Sequence, residues 1–389
     1  MQCTEIGHKS RRLGQAKRLI TQTGYVGANE SGRYHAAALA GPHAGVNPRI
    51  ARRHQPVTVQ VMSSGATPEP PACPPHQAGL PEFAVSIAPP DLSPYLAGNT
   101  GVEGFTLLDS GLPGPHVVAV SLIHGNEFAG AIVLTELLAG NFRPKCGRLT
   151  LGFANLAAFA RFDPENPTAS RYIEEDMNRV WDDYQLFGVR HSAELDRARE
   201  IKPLVDNADM LLDLHTMLWP ADPSLLCGAG ARGRDLAFAI GTPGQIIADA
   251  GHVGGKRLID YGRFTEGAEQ SAACVLVEAG QHWQDSAVAQ CRATLGSLLR
   301  HAGMLDAAPP EHRPCFAQVV QTITARSNRF SFVRPFRGGD VVRRAGTVIA
   351  HDGDEKVVTP EDNMMLVMPS LRVSHGQTAV RLARMELKS

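Results

Sequence analysis

The stretch His116-Val-Val-Ala-Val-Ser-Leu-Ile123, followed at once by His124-Gly-Asn-Glu127, decides how this chain is read. An unbroken apolar run of this length reads as a strand buried on both faces, the kind found in a parallel sheet covered by helices. Residues 127–138 then carry apolar side chains at helical spacing, which places Glu127 in the first turn of a helix. A junction of strand and helix puts side chains at the carboxyl edge of the sheet, where open α/β folds bind ligands. Imidazole and carboxylate from His124 and Glu127 converge there on one cation, and zinc accepts such a mixed set.

Outward from this stretch the alternation continues. Residues 148–155, 210–215, 245–249 and 273–278 read as further strands, while 192–205 and 286–305 read as amphipathic helices, the second closed by Gly303 and Pro309-Pro310. The catalytic region is therefore expected to span residues 81–310. From 311 to 389, short β-like runs such as Val341-Val342, Thr347-Val348-Ile349 and Met364 to Met368 lie between Gly, Asp and Pro turns, so a small all-β domain is expected. Residues 1–80 differ in kind: nine Lys or Arg against three Glu, with a Pro-rich stretch at 67–75. That composition predicts a disordered extension.

Composition narrows the partners. The chain has 389 residues, 43% of them hydrophobic, and its 38 basic and 39 acidic side chains nearly cancel. Neither nucleic acid nor a membrane is proposed as partner. Seven cysteines without a C-x-x-C pair favour reduced thiols, hence a cytoplasmic protein. No apolar run reaches the roughly 18 residues that a spanning helix needs.

A catalytic zinc takes three protein ligands and leaves a position for water. Asp213-Leu-His215 offers the third, because His215 ends another apolar strand and emerges at the same sheet edge. On its own His215 reads more simply as a hydrogen-bonded strand-end histidine. Asp213 either points away or orients a ligand as acceptor. A second H-x-x-E, His191 to Glu194, is expected inside a surface helix and is set aside.

Amide hydrolysis also needs a proton shuttle. Glu278, in Val275-Leu-Val-Glu-Ala-Gly280, is expected at the end of a strand closed by that glycine, where burial raises its pKa. A glutamate paired with an arginine explains the position equally well. Arg171 to Arg179 supplies two guanidinium groups and the Asn178 amide, suited to a carboxylate or an oxyanion. The simpler reading pairs Arg171 with Glu174 or Glu175 on a solvated helix.

Taken in order, His-Gly-Asn-Glu, Arg171 ahead of Asp176-Met-Asn-Arg179, Asp213-Leu-His215 and Val277-Glu-Ala-Gly280 resemble the succinylglutamate desuccinylase and aspartoacylase family. The resemblance spans about residues 100–380. It implies a zinc carboxypeptidase-like α/β fold, a mixed sheet with helices on both faces, plus a small C-terminal all-β domain. It further implies one Zn²⁺ held by His124, Glu127 and His215, Glu278 as general base and acid, and Arg171 polarising the scissile carbonyl. Asn178 and Arg179 would grip the carboxylate of a small-molecule N-acyl amino acid. Met177 departs mildly from the family's usual leucine. Thr216-Met-Leu218 replaces the polar Asn-Thr-Thr of aspartoacylase-like members, which implies a more apolar pocket and argues against N-acetylaspartate and succinylglutamate themselves. A further substrate arginine is assigned only as a guess, to Arg263.

Two other readings remain. A zinc exopeptidase of the carboxypeptidase type would use the same site. Gly228-Ala-Gly230-Ala-Arg-Gly233 formally matches a dinucleotide fingerprint, with Asp249 as the ribose-binding acid, so an NAD-binding oxidoreductase is the third. The sequence leaves a homo-oligomer open.

Overall fold

A run of parallel strands needs helices to cross over between them, and the chain alternates accordingly. The computed structural model describes residues 84–252, 254–265, 272–306, 308–310 and 314–386; the expected extension over 1–80 lies outside them. In chain order come β1 (Phe105–Asp109), β2 (His116–Ser121), α1 (Ala129–Ala139), β3 (Arg148–Phe153), α2 (Leu156–Phe159), α3 (Asp183–Leu186) and α4 (Ala193–Asp206). Next are β4 (Met210–Met217), β5 (Ser224–Leu226), α5 (Ala231–Ile240), β6 (Gln245–Ala248), β7 (Ala273–Gln281) and α6 (Asp285–His301). The C-terminal part is all β: β8 (Cys315–Thr324), β9 (Phe330–Phe332), β10 (Val341–Val342), β11 (Val348–Asp352), β12 (Glu355–Val358), β13 (Met364–Val367) and β14 (Thr378–Glu386).

The main sheet has 11 strands in the order β1-β3-β2-β4-β7-β5-β6-β8-β14-β13-β10. Its centre, β3-β2-β4-β7, is parallel, whereas β5 runs antiparallel to β7. This is the mixed sheet expected. β6 pairs with β8 in parallel, so the sheet does not stop at residue 310; beyond β8 its pairings turn antiparallel. A separate three-stranded sheet, β12-β11-β9, completes the C-terminal region.

Period-two alternation decides which side chains meet the helices. Val117, Ala119, Leu212, Leu214, Val275 and Val277 join one core with α1, α5 and α6. Val118, Val120, Leu211 and Leu276 join the other, with Leu195, Ala198 and Ile201 of α4. Asp213, His215 and Glu278 share the parity of this second face, so both faces are covered and one face carries the polar strand ends.

Two expectations shift. Glu127 is not helical: the first helical residue is Ala129, and Glu127 sits in the loop ahead of it. Glu278 is not at a strand end either, since β7 continues through Gly280 to Gln281. The pairing of β4 with β7 slips by one residue between His215↔Glu278 and Met217↔Gln281, a bulge that glycine accommodates with φ +125 at Gly280.

Candidate metal centre and active site

Three neighbouring parallel strands deliver the central groups: β2 leads to His124, β4 carries His215 and β7 carries Glu278. The loop after β2 is tightly constrained. Leu122 is held at φ +60, and a Cβ on Gly125 would stand 2.4 Å from the backbone of Ala158 and Phe159. Strain of this kind, about 1–3 kcal/mol per residue, persists only where the surroundings enforce it.

The result is a tight constellation. One ligand atom from each of His124, Glu127 and His215 lies within 4.8 Å of the others, and all three residues are buried. His124 Nδ1 is 2.8 Å from Glu127 Oε1 and His215 Nδ1 is 3.0 Å from Oε2. The far nitrogens face carboxylates too: His124 Nε2 lies 2.8 Å from Asp176 Oδ1, and His215 Nε2 lies 2.9 Å from Asp213 Oδ2. The second contact is an ion pair without hydrogen-bond alignment, which leaves both of its atoms unbonded. Two imidazole nitrogens and a carboxylate are a donor set suited to zinc, and carboxylates behind ligating histidines are the arrangement that fixes their rings. The residues therefore fit that metal.

Electrostatics say the same. Burial pushes Glu127 up, but the imidazoles of His124 and His215 overrule it and hold the carboxyl well below its ordinary range. Burial depresses His215, yet Asp213 and Glu127 lift it well above the usual histidine value. Buried carboxylates here demand positive charge, which protons supply when no metal does. Glu278 is the opposite case: burial, then the Glu127 carboxylate, raises it to about 8. Its Oε2 is buried without a hydrogen-bond partner, so the reading as half of an arginine pair is not what is seen.

The segment from Arg171 to Arg179 is a loop with a 3₁₀ turn at Met177–Arg179, not a solvated helix. Arg171 bonds Glu127 Oε1 at 3.0 Å and Asp176 Oδ2 at 3.2 Å, while Glu174 and Glu175 point elsewhere. Asp176 caps the turn through the Asn178 N–H at 2.8 Å. The anchor of the loop is Glu194, from the second H-x-x-E. It is fully buried, and it accepts the backbone N–H of Ile173, Glu174 and Glu175 together with the Asn155 amide. His191 is exposed and pairs with Asp196. Only half of that motif lies on the surface, and its glutamate organises the site.

These groups line one cavity of about 440 Å³, which brings together His124, Glu127, Arg171, Asn178, Arg179, His215 and Glu278. Asn178 accepts the Leu258 N–H on its side-chain oxygen at 2.8 Å, so its NH₂ is the end still able to donate. Arg263 is elsewhere: its guanidinium donates to the Ala208 carbonyl, at the opposite end of β4. Arg257 lines the cavity instead. Asp249 is no ribose ligand, because it is buried in ion pairs with Arg257 and Arg381, both at 3.0 Å. Sequence reading missed Arg257, Arg381, His252, His282 and the loop after β13. No local pattern marks any of them.

Residues 113–219 match the family model described as the succinylglutamate desuccinylase/aspartoacylase catalytic domain. Over this segment the chain is similar to that family. The resemblance drawn from the motifs is borne out, and the matched residues include every candidate ligand and the Arg171–Arg179 loop. Among solved structures, the fold is similar to succinylglutamate desuccinylase from Vibrio cholerae, with a TM-score of 0.57 and 18% identity over 72% of this chain and 85% of that one. It is also similar to succinylglutamate desuccinylase/aspartoacylase from Rhodobacter sphaeroides, with a TM-score of 0.56 and 19% identity over 74% and 90%. A product-bound ectoine utilization protein, EutE (DoeB) from Ruegeria pomeroyi, gives 0.54 and 16% over 72% and 88%. At these identities the desuccinylase likeness establishes the fold.

Proposed function

We propose that this protein is a zinc-dependent deacylase that hydrolyses the amide bond of an N-acyl amino acid or a similar small carboxylate. The observation that carries the reading is the convergence of two imidazole Nδ1 atoms and one carboxylate at the carboxyl edge of the sheet, beside a partnerless Glu278. The family match and desuccinylase-named neighbours support the reaction class.

Zinc bound by His124, Glu127 and His215 would lower the pKa of water and polarise an amide carbonyl. Glu278 takes the proton of the attacking water and returns it to the departing amine. Arg171 donates to the acyl oxygen as negative charge builds there. Asn178 and Arg179 hold the amino-acid carboxylate, the arginine as a two-pronged donor. Location in the cytoplasm is part of the proposal, supported by the free thiols of all five described cysteines. No helix among the described residues is long and apolar enough to cross a membrane.

The test couples metal analysis to chromatographic detection of the released amine across a panel of N-acyl amino acids. One zinc per chain and cleavage that a chelator abolishes are expected. Cleavage indifferent to chelation would end the proposal. Faster release of the C-terminal residue from dipeptides would move it to a zinc exopeptidase.

A further inference from the structure

Resting on the deacylase reading, we infer that the preferred substrate carries a single carboxylate and an apolar group about the scissile amide, rather than two carboxylates. The first half of the case is a count of cations around the cavity. Arg257 is committed: its Nε and Nη2 bond Asp260 at 2.7 and 3.0 Å, and Nη1 and Nη2 bond the Asp249 carboxylate and carbonyl, each at 3.0 Å. His252 stays neutral, held at about 2 by burial and then by the guanidinium groups of Arg381 and Arg179. Arg171 is held by Glu127 and Asp176 beside the metal site, where the proposed reaction uses it at the acyl oxygen and not at a carboxylate of the substrate. Arg179 remains. Its Nη1 gives one bond to the Asn178 carbonyl at 2.6 Å, and Nη2 stands 3.8 Å from Asp176, beyond hydrogen-bond reach. Among the described residues, one lining guanidinium is therefore left for a ligand carboxylate.

The second half is the facing wall. Directly after His215, the chain runs out of β4 through Met217, Leu218, Trp219 and Pro220, and Met368-Pro369 after β13 closes the same cavity. The polar alternatives on this side are neutral or engaged: the Thr216 hydroxyl lies 2.6 Å from His282 Nδ1, and Ser370 donates to the Arg372 carbonyl at 3.1 Å. The wall is preformed. Gly338 bonds the Pro220 carbonyl at 3.1 Å and returns its own carbonyl to the Asp222 N–H at 3.0 Å, while the Arg372 guanidinium stands 5.9 Å from the Trp219 ring. A second carboxylate against these side chains would lose water without gaining a guanidinium from the cavity lining. An apolar group gains there, by roughly fourfold in binding for each methylene buried.

The apolar group could belong to the acyl chain or to the amino-acid side chain, and the experiment separates them. Zinc-loaded protein is assayed for kcat/KM on N-hexanoylglycine, N-acetylleucine, N-acetylaspartate and N-succinylglutamate. At least one of the first two should exceed both dicarboxylates tenfold or more, and whichever leads names the group on the wall. Trp219→Ala and the double variant Met217→Thr with Leu218→Thr should cut that preference at least fivefold at unchanged zinc content, and Trp219→Phe should keep it. A dicarboxylate as the best substrate overturns the inference and leaves the deacylase reading intact. Cleavage of none of the four sinks the deacylase reading, and calorimetric titration of the zinc-loaded protein then decides the inference separately: hexanoate binding more tightly than succinate supports it, and succinate binding as tightly or more tightly overturns it.

Discussion

Glu278 and His215 face each other across neighbouring strands, yet their surroundings push them in opposite electrostatic directions. Glu278 is raised to about 8, first by burial and then by Glu127, so without metal it is mostly protonated near neutral pH. A cation on Glu127 cancels the repulsion and lowers that value, which readies the carboxylate as a base. The rate should therefore climb with pH through a transition below about 8, and Glu278→Ala should lower kcat about 10²–10⁴-fold with zinc retained. Near-normal turnover in that variant would remove Glu278 from the proton-transfer step. For His215 the shift is upward too, but in an imidazole it favours the charged form. Its folded pKa lies well above the usual value, and the proton must leave before Nδ1 can bind metal. Zinc affinity is expected to rise as pH rises through the range above about 6.5, up to tenfold per unit for each proton displaced. Competition with a chromogenic chelator measures this, and a flat profile would mean that His215 is not a ligand.

At the scale of elements, α4 does more than cover the sheet. Ser192 caps it by accepting the Leu195 N–H at 3.0 Å, and this first turn carries Glu194 into the interior, where its carboxylate receives three successive backbone N–H groups. Removing the acceptor leaves buried donors unpaired, at a cost of about 1–3 kcal/mol each. Glu194→Ala is expected to loosen the Arg171–Arg179 loop, raising KM several-fold while the proposed zinc ligands, which sit on other elements, still bind metal. Unchanged KM together with unchanged hydrogen exchange over residues 171–179 would count against this role. α4 itself was legible, since its apolar spacing and cap are local signals. The direction of Glu194 was not, because a buried glutamate and an exposed one look alike at a first-turn position.

For the molecule as a whole, the parallel β6–β8 pairing joins the catalytic sheet to the C-terminal strands. Phe316 packs on Phe238 at 5.9 Å, and Ile247 of β6 shares a core with Ala317, Met365, Val367 and Ala383. Arg381 of β14 is buried against Asp249, next to Arg257. We propose that residues 311–386 are needed for the catalytic region to fold. A chain ending at residue 310 would bare the edge of β6 and its apolar neighbours, which favours association through that edge. Such a truncated protein is expected to aggregate; a monomer by gel filtration with a cooperative thermal transition would establish independent domains instead.

The sequence by itself determined the alternation of buried strands and helices, the edge at which His124 and His215 emerge and which three side chains, Glu127 among them, come together as a candidate metal site. Those features are written in short-range patterns: apolar runs, a glycine at a crowded turn, residue types at strand ends. Only the tertiary structure decided that Glu278 stands inside a strand beside a bulge and that Glu194 faces inward. The same holds for the cations: Asp249 and Asp260 take up Arg257, whereas Arg179 has its nearest carboxylate, Asp176, at 3.8 Å. Each of these depends on which charges from distant parts of the chain are buried together, and burial at long range has no local signature.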